Sequence, residues 1–417
     1  MKKIILFLKL FSRSKFIFKT PKKYDLVIFD RVSLFDLNNC VSKFNFFVLQ
    51  VRFEEMDEIY FSYKILKKIL KNFFKGNLFT AYLTALIELI EPKVVITNID
   101  NSLKFSDVAK ILEKKTNFIA IQNAQRSDFL QLYYLYNTKR IKHNFLNKFY
   151  IPNFFTFGNY ERELCKKLDI VVKNIYPVGN LRWANFLHHI KSEKVSFEKY
   201  NSDICLISEY VEPNNAFHAS FAFNKRARKK INDSMYAENV NIEKGLSTSV
   251  KYTIKFCIKN NMKLIIPLKR PCVQRGAHQI EFEFYKRILE KEEFDYFQKN
   301  LLERDVYTFS SYRAVLNSKV TVGTGSTLLR DKLGFGGKIL SCNLTKLDMY
   351  NFPIKGICSL NDCSYLEFEK RLLEIYSMSK EKYFSKIDKK PSYLMKFDKN
   401  NSTINLIREK LYQLGVN

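Results

Sequence analysis

SKVTVGTGSTLLRDKLGFGGKILSCN, residues 318–343, is the stretch on which the reading of the fold turns. Val320, Thr321 and Val322 form a short β-branched run that ends in Gly323-Thr324-Gly325-Ser326-Thr327. Leu328, Leu329 and Leu333 then recur at helical spacing, Gly334-Phe335-Gly336-Gly337 breaks the pattern, and Ile339-Leu340 opens another apolar run. This order predicts strand, glycine-rich turn, helix, turn and strand, the shape of a βαβ unit. Glycines let the backbone close tightly, so the first free N–H groups of the helix point at whatever lies above the strand. Such a helix start attracts phosphate, and the Ser326 and Thr327 hydroxyls add donors. No Gly-Lys-Ser/Thr closes the turn as in a Walker loop, and the third glycine of the dinucleotide fingerprint is missing. A turn serving packing alone is the alternative reading of the same residues.

Outward from this stretch, apolar runs alternate with helical patterns. Residues 24–29 (YDLVIF), 46–51 (FFVLQV), 94–97 (VVIT), 118–121 (FIAI) and 154–157 (FFTF) read as strands. Helical periodicity fills 60–74, 80–90, 106–114 and 160–168. Strands apolar throughout and separated by helices imply a parallel sheet covered on both faces. Ligands of such sheets bind at the carboxyl ends of strands, where Asp30, Asp100, Asn101, Gln122, Asn123 and Arg126 fall. Beyond Gly179, read as a hinge, the pattern resets, and strands are expected at 204–207 and 264–266, the latter running into Lys269-Arg270-Pro271. The expected domains are 1–185, an acceptor domain, and 200–375, a nucleotide-sugar domain. Helices over 376–417 are expected to pack back on the first. A polar, basic insertion at 211–244 is longer than a compact domain needs.

The chain has 417 residues, 70 Lys and Arg against 42 Asp and Glu, and a net charge of +28. A balance so basic favours anionic partners: a nucleotide donor, an anionic membrane surface or nucleic acid. Residues 140–155 (RIKHNFLNKFYIPNFF) interleave basic and aromatic side chains in a way that suits a membrane surface, and 225–230 (KRARKK) form the densest basic cluster. No recognisable nucleic-acid module accompanies that cluster, so no nucleic acid is expected. The eight cysteines stand singly with no CxxC, and no metal site is expected. No apolar run approaches the roughly 18 residues that span a bilayer. The opening MKKIILFLKLF is read as a strand with basic flanks, and the protein as cytoplasmic, placed at the inner face of the membrane.

Three blocks carry a family resemblance. They are PKVVITNIDNSLKFSDVAKILEKKTNFIAIQNAQR, FGNYERELCKKLDIVVKNIYPVGNLRW and VGTGSTLLRDKLGFGGKILSCN. Together they resemble bacterial surface-carbohydrate biosynthesis proteins of the GT-B glycosyltransferase type. More distantly the layout is similar to transferases using CMP-activated acids, of the sialyl, Kdo and pseudaminyl type. The resemblance implies two Rossmann-like domains facing a central cleft and a metal-independent transferase without cofactor. Its partners would be a nucleotide-sugar donor, CMP-linked by preference, and a glycan or lipid-linked glycan acceptor. Ser326-Thr327 matches the family's Ser/Thr pair beside the CMP phosphate. Lys269-Arg270-Pro271 occupies the place of its His-Pro, with a basic residue where histidine stands, and Asp100-Asn101 stands for its acidic motif, without the closing glycine.

The chemistry expected is glycosyl transfer in which negative charge grows on the leaving phosphate. Helix N–H groups, Ser326, Thr327 and Lys269 or Arg270 would stabilise that charge. An inverting reaction needs a carboxylate to take the acceptor's proton. Asp100 is the first candidate, with Asp30 and Glu209 behind it. Asn101, Gln122, Asn123 and Arg126 are candidates for acceptor contact. A polyol-phosphate transferase using a CDP-linked donor and a non-catalytic basic assembly or nucleic-acid protein are the alternatives left open.

Overall fold

The computed structural model describes residues 12–52, 56–75, 77–125, 149–167, 170–192, 198–209, 225–271 and 275–417. It gives backbone alone at 75, 192, 225–241, 271, 275–278 and 349. Arg126 and most of the basic–aromatic stretch at 140–155 lie outside the described residues, as do the first half of the 211–244 insertion and the opening strand expected at the start of the chain.

The chain divides into two compact units, 1–187 with 396–417, and 188–395. Strands of the first unit are β1 Lys15–Ile17, β2 Leu26–Phe29, β3 Phe46–Leu49, β4 Glu58–Tyr60, β5 Val94–Thr97, β6 Asn117–Ile121, β7 Tyr150–Thr156 and β8 Val171–Pro177. β1 and β4 make a small parallel pair, and the remainder form one sheet in the order β3-β2-β5-β6-β7-β8, parallel throughout. Because the central strands carry unbroken apolar runs, alternate residues feed two separate cores. Val27, Phe29, Val95, Phe118 and Ala120 face one core, closed by helices Leu78–Ile90 and Leu103–Leu112. Leu26, Ile28, Val94, Ile96, Ile119 and Ile121 face the other. That second face is covered by helix Val32–Val41 and by the C-terminal helix Thr403–Gln413, through Leu37, Ile404, Ile407 and Leu411.

The second unit holds β9 Ser202–Leu206, β10 Leu264–Pro271, β11 Leu301–Arg304, β12 Ser318–Gly323, β13 Lys338–Asn343 and β14 Ser359–Asn361. They make one parallel sheet in the order β11-β10-β9-β12-β13-β14. Each unit is thus a Rossmann-like α/β domain built on a parallel six-stranded sheet. Helix Lys225–Lys259 takes in the KRARKK cluster and the second half of the 211–244 insertion. It presses on the chain after β13 at Gly245, where a Cβ would meet the Thr345 nitrogen at 2.4 Å.

Several glycines prove to be packing glycines. Gly179 has φ +92°, and a Cβ there would meet the Lys396 carbonyl oxygen at 2.4 Å. It lies inside the first unit, where the returning chain is anchored by Lys396 N–H to the Phe157 carbonyl and by the Thr403 hydroxyl to the Val178 carbonyl. The hinge expected at Gly179 is therefore a seat for the returning segment. In the Gly334–Gly337 break, Gly334 abuts Met395 and Gly337 leaves room for the Lys332 stem, whose Cε would lie 2.3 Å from an added Cβ. The buried Lys332 ammonium donates to the carbonyls of Val315, Leu316 and Ser318, closing the end of helix Ser310–Asn317.

Candidate functional site

In each sheet the strand order reverses at one place. The first unit runs from β2 outward to β3 and then returns to β5 on the other side of β2. The second runs from β9 to β10 and returns to β12 on the other side of β9. In open parallel sheets such switch points open a crevice at the carboxyl ends, and the candidate residues gather at both.

In the second unit, β12 ends in the expected glycine turn, followed by helix Thr327–Gly334 with Ser326 as its N-cap. The Ser326 hydroxyl accepts from the Leu328 N–H at 3.3 Å. Inside the turn, the Thr324 hydroxyl donates to the Cys342 carbonyl at 3.0 Å and the Ser341 hydroxyl to the Thr324 carbonyl at 2.6 Å, lashing the turn to β13. The free amides do point at an anion, and that anion belongs to the protein. Glu209 accepts from the N–H groups of Thr324 and Gly325, the latter at 3.0 Å and 3.2 Å to its two oxygens. Glu209 is carried there because the chain past β9 still pairs with β12, through Ile207 N–H to the Val322 carbonyl at 2.9 Å. Gly323 leaves the space it needs, since a Cβ would lie 3.2 Å from the Glu209 Oε2. Burial pushes the Glu209 carboxyl up from its ordinary value, while the two amide bonds and the charge of Lys269 oppose the shift. Tyr350 stands nearby, and burial together with the Glu209 charge pushes its phenol up to about 12.

Beside this turn lies a second carboxylate. Glu281, fully buried on helix Arg275–Ile288, accepts from the backbone N–H groups of Lys269 at 2.7 Å and Arg270 at 2.8 Å. It also accepts from the Ser208 hydroxyl, which in turn meets the buried Tyr285 hydroxyl. Burial raises its pKa, with the hydrogen bonds and Lys269 acting the other way. The Lys269 charge therefore acts on both carboxylates, and its exposed side chain leaves the strand end. Arg304 donates to the Lys269 carbonyl, fixing the end of β10 against β11. Gly323 to Thr327, Lys269, Arg270 and Glu209 are thus brought to one strand-end region.

The first unit gathers Asp30, Asp36, Asn98 and Asp100 at its own switch point. Asp30 has φ +85° and is buried, with Arg52 Nε 2.9 Å from its carboxylate. Asp36 accepts from Arg182 Nε at 2.9 Å and from the Asn98 amide, all within this unit. Ser33 and Thr97 hydroxyls lie 3.1 Å apart between them. Asp100, buried at the end of β5, faces the end of β6, where the Asn123 N–H lies 3.4 Å from its Oδ1. Asn101 and Asn123 are half-buried at this edge. Gln122 differs from its expected role. It is buried, donates to the Ala124 carbonyl and to Glu161, and accepts from the Phe157 N–H, so its amide braces the loop after β7.

Sequence reasoning missed Glu281, Tyr285, Asp36 and Arg52. For Glu281 a signal was available: Glu281, Phe284, Tyr285 and Ile288 share one helix face, and an acid in an apolar stripe asks for a partner. Arg52 carried none. Among the described residues no group of three His, Cys, Asp or Glu side chains could hold a metal ion, and no helix is long and apolar enough to cross a membrane. A cavity of about 290 Å³ opens at the opposite ends of the first sheet's strands, lined by Lys68, Glu88, Lys115 and Thr116, away from every candidate residue.

Residues 119–411 match the model of a family described as "putative O-antigen biosynthesis protein", and the chain belongs to that family. No curated protein matches. Among solved structures, UDP-GlcNAc 2-epimerase of Methanocaldococcus jannaschii, in complex with UDP-GlcNAc and UDP, is similar at 12% identity and TM-score 0.46, covering 93% of this chain and 99% of its own. The epimerase of Neisseria meningitidis bound to UDP-GlcNAc is similar at 11% and 0.44, covering 93% and 98%. The wall teichoic acid polymerase TagF is similar at 8% and 0.45, covering 94% and 90%.

Proposed function

We propose that this O-antigen biosynthesis family member is a nucleotide-sugar-dependent glycosyltransferase that works without a metal ion. It would extend a glycan or lipid-linked glycan acceptor destined for the surface polysaccharide, and would act at the inner face of the cytoplasmic membrane. The observation that carries the reading is the turn of Gly323 to Thr327, whose amides are aimed at a negative charge at the switch point of its sheet. A donor phosphate offers the same charge as Glu209 and more acceptor oxygens. It would displace the Glu209 carboxylate or sit beside it on Ser326 and Thr327, with Lys269 or Arg270 neutralising the charge that grows as the sugar leaves. Asp100, on the first sheet, is the proposed base for the acceptor hydroxyl. Asp30 is less suited because Arg52 already holds its carboxylate, and Glu209 serves only once released from the turn. The donor we favour is a CMP-linked acidic sugar, on the strength of the Ser326-Thr327 pair and the basic residues in the His-Pro position.

Thermal stabilisation by CMP, CDP, UDP, GDP and ADP tests this directly. A nucleotide at about a hundred times its Kd adds about 2.7 kcal/mol, and Ser326→Ala combined with Thr327→Ala should abolish the shift. CMP selectivity supports the favoured donor, while UDP or GDP selectivity replaces the donor and keeps the transferase. CDP selectivity points to polyol-phosphate transfer, and no shift with any nucleotide removes the proposal.

A further inference from the structure

Helix Tyr63–Asn72 (YKILKKILKN) has more apolar surface than the protein covers. At about 100° per residue, Ile65, Ile69 and Asn72 fall on one side, and this is the side turned inward: Ile65 is fully buried and Ile69 packs on the first unit's core. Tyr63, Leu66 and Leu70 occupy the next side round, and they face solvent, Tyr63 at 79% and Leu70 at 72% exposure. Phe73 and Phe74, in the turn that continues the helix, extend the same exposed strip, Phe74 at 83%. Near the helix start, Phe18 and Phe61 stack edge to face at 6.0 Å and are both exposed. The Phe61 N–H to Ile17 carbonyl bond and the Thr20–Ser62 hydroxyl pair hold them beside the helix N-cap. An isolated exposed leucine needs no explanation, but a continuous strip of large apolar side chains does.

The flank of the strip is basic. Lys64, Lys67 and Lys71 lie on its other side and are exposed, Lys19 is exposed next to Phe18, and no acidic residue occurs between Glu58 and Glu88. A protein partner's groove could cover leucines and phenylalanines. A lysine row running parallel to them, with no acid interspersed, instead matches a plane of negative headgroups above an apolar layer. We infer that helix Tyr63–Asn72, with Phe18, Phe61, Phe73 and Phe74, is a docking surface for an anionic lipid bilayer. Its phenylalanines and leucines enter the headgroup–acyl boundary, and its lysines meet the phosphates. This inference stands on the exposed face alone and does not depend on the nucleotide reading of the second unit.

The test is co-sedimentation of the full chain with vesicles of phosphatidylcholine containing about 30% phosphatidylglycerol, against pure phosphatidylcholine. Binding should require the anionic lipid and fall with salt. Leu70→Glu with Phe74→Glu should lower partitioning at least tenfold, and each of Lys64→Gln, Lys67→Gln and Lys71→Gln by about fivefold. All these side chains are exposed, so melting temperature and the nucleotide response should stay as in the wild type. Failure of the wild-type chain to sediment overturns the inference, as does undiminished binding by the Leu70→Glu, Phe74→Glu variant. A wild-type dimer in solution that the same variant turns into a monomer, with vesicle binding unchanged, assigns the face to a second copy of the chain instead.

Discussion

At the first sheet's switch point Asp30 and Asp36 take their partners from the side chains of Arg52 and Arg182. At the second sheet's, Glu209 and Glu281 take theirs from backbone N–H groups at the ends of β12 and β10. The two places are topologically alike and chemically opposite. An arginine side chain can swing away and let a ligand in, whereas an amide on a strand end is fixed and must always find an acceptor. The first unit therefore meets Asp30 and Asp36 with movable cations, while Asp100 takes a backbone N–H, that of Asn123. The second satisfies fixed donors with acids of its own, and burial pushes both carboxyls upward. A site built of fixed donors suits an incoming anion that replaces an internal one. A site built of paired side chains suits polar groups such as acceptor hydroxyls.

The largest effect expected from this contrast belongs to Glu281. Glu281→Ala strands the Lys269 and Arg270 amides and takes one partner from the Ser208 hydroxyl, and should cost about 3 kcal/mol or more in urea unfolding. The pH dependence has a definite sign. A folded-state pKa raised above the ordinary 4.5 means that the folded protein holds this proton more tightly than the unfolded chain. The stabilisation by Glu281 is then full below the ordinary value and declines as pH rises through the raised one. Glu281→Ala should consequently cost more near pH 4.5 than at alkaline pH. A cost that grows as pH rises would mean the carboxylate form is the one the fold prefers, and the contrast between the units would lose its basis.

Glu209→Gln is next in size and sharpens the comparison, because it separates stability from binding. A glutamine keeps one acceptor oxygen for the Thr324 and Gly325 amides and loses the competing charge. Stability should fall by about 1–2 kcal/mol, and the nucleotide that stabilises the wild type should bind about tenfold tighter, measured by titration calorimetry. Weaker binding would show that Glu209 assists the ligand and does not compete with it.

Much of the architecture could be read from residue order. Val94, Val95 and Ile96 are apolar at successive positions because the strand lies between two cores, and no other element explains such a run followed by Asn and Asp. β8 and β11 escaped notice for a physical reason: VVKNIYP and LLER are edge strands, half exposed, with lysine, asparagine or glutamate where the central strands carry valine and isoleucine. The glycine turn was legible as an anion cradle from its composition. Its occupant was not, since Glu209 reaches Gly325 across 116 positions, and only the pairing of β9 with β12 brings the two together. Glu281 was hidden differently, behind an alternating EFEF that reads as surface until the helix face is drawn.

The smallest effect expected is at the first unit, and it tests the movable half of the comparison. Arg52 is 40% exposed while the Asp30 carboxylate it meets is only 4% exposed. The ion pair is therefore half in water, and its loss is softened by solvent on the arginine side. Asp30 also keeps the Val32 N–H at 3.1 Å as a second partner. Arg52→Ala should accordingly cost about 1 kcal/mol, and that cost should shrink as salt rises. The measurement is convenient because the chain has one tryptophan, Trp183, buried within the first unit, so its fluorescence follows that unit's unfolding. A salt-independent loss as large as that of Glu281→Ala would show that Asp30 is held as rigidly as the acids of the second sheet. Arg52 would then be part of the framework, and Asp30 could not be released to meet an acceptor.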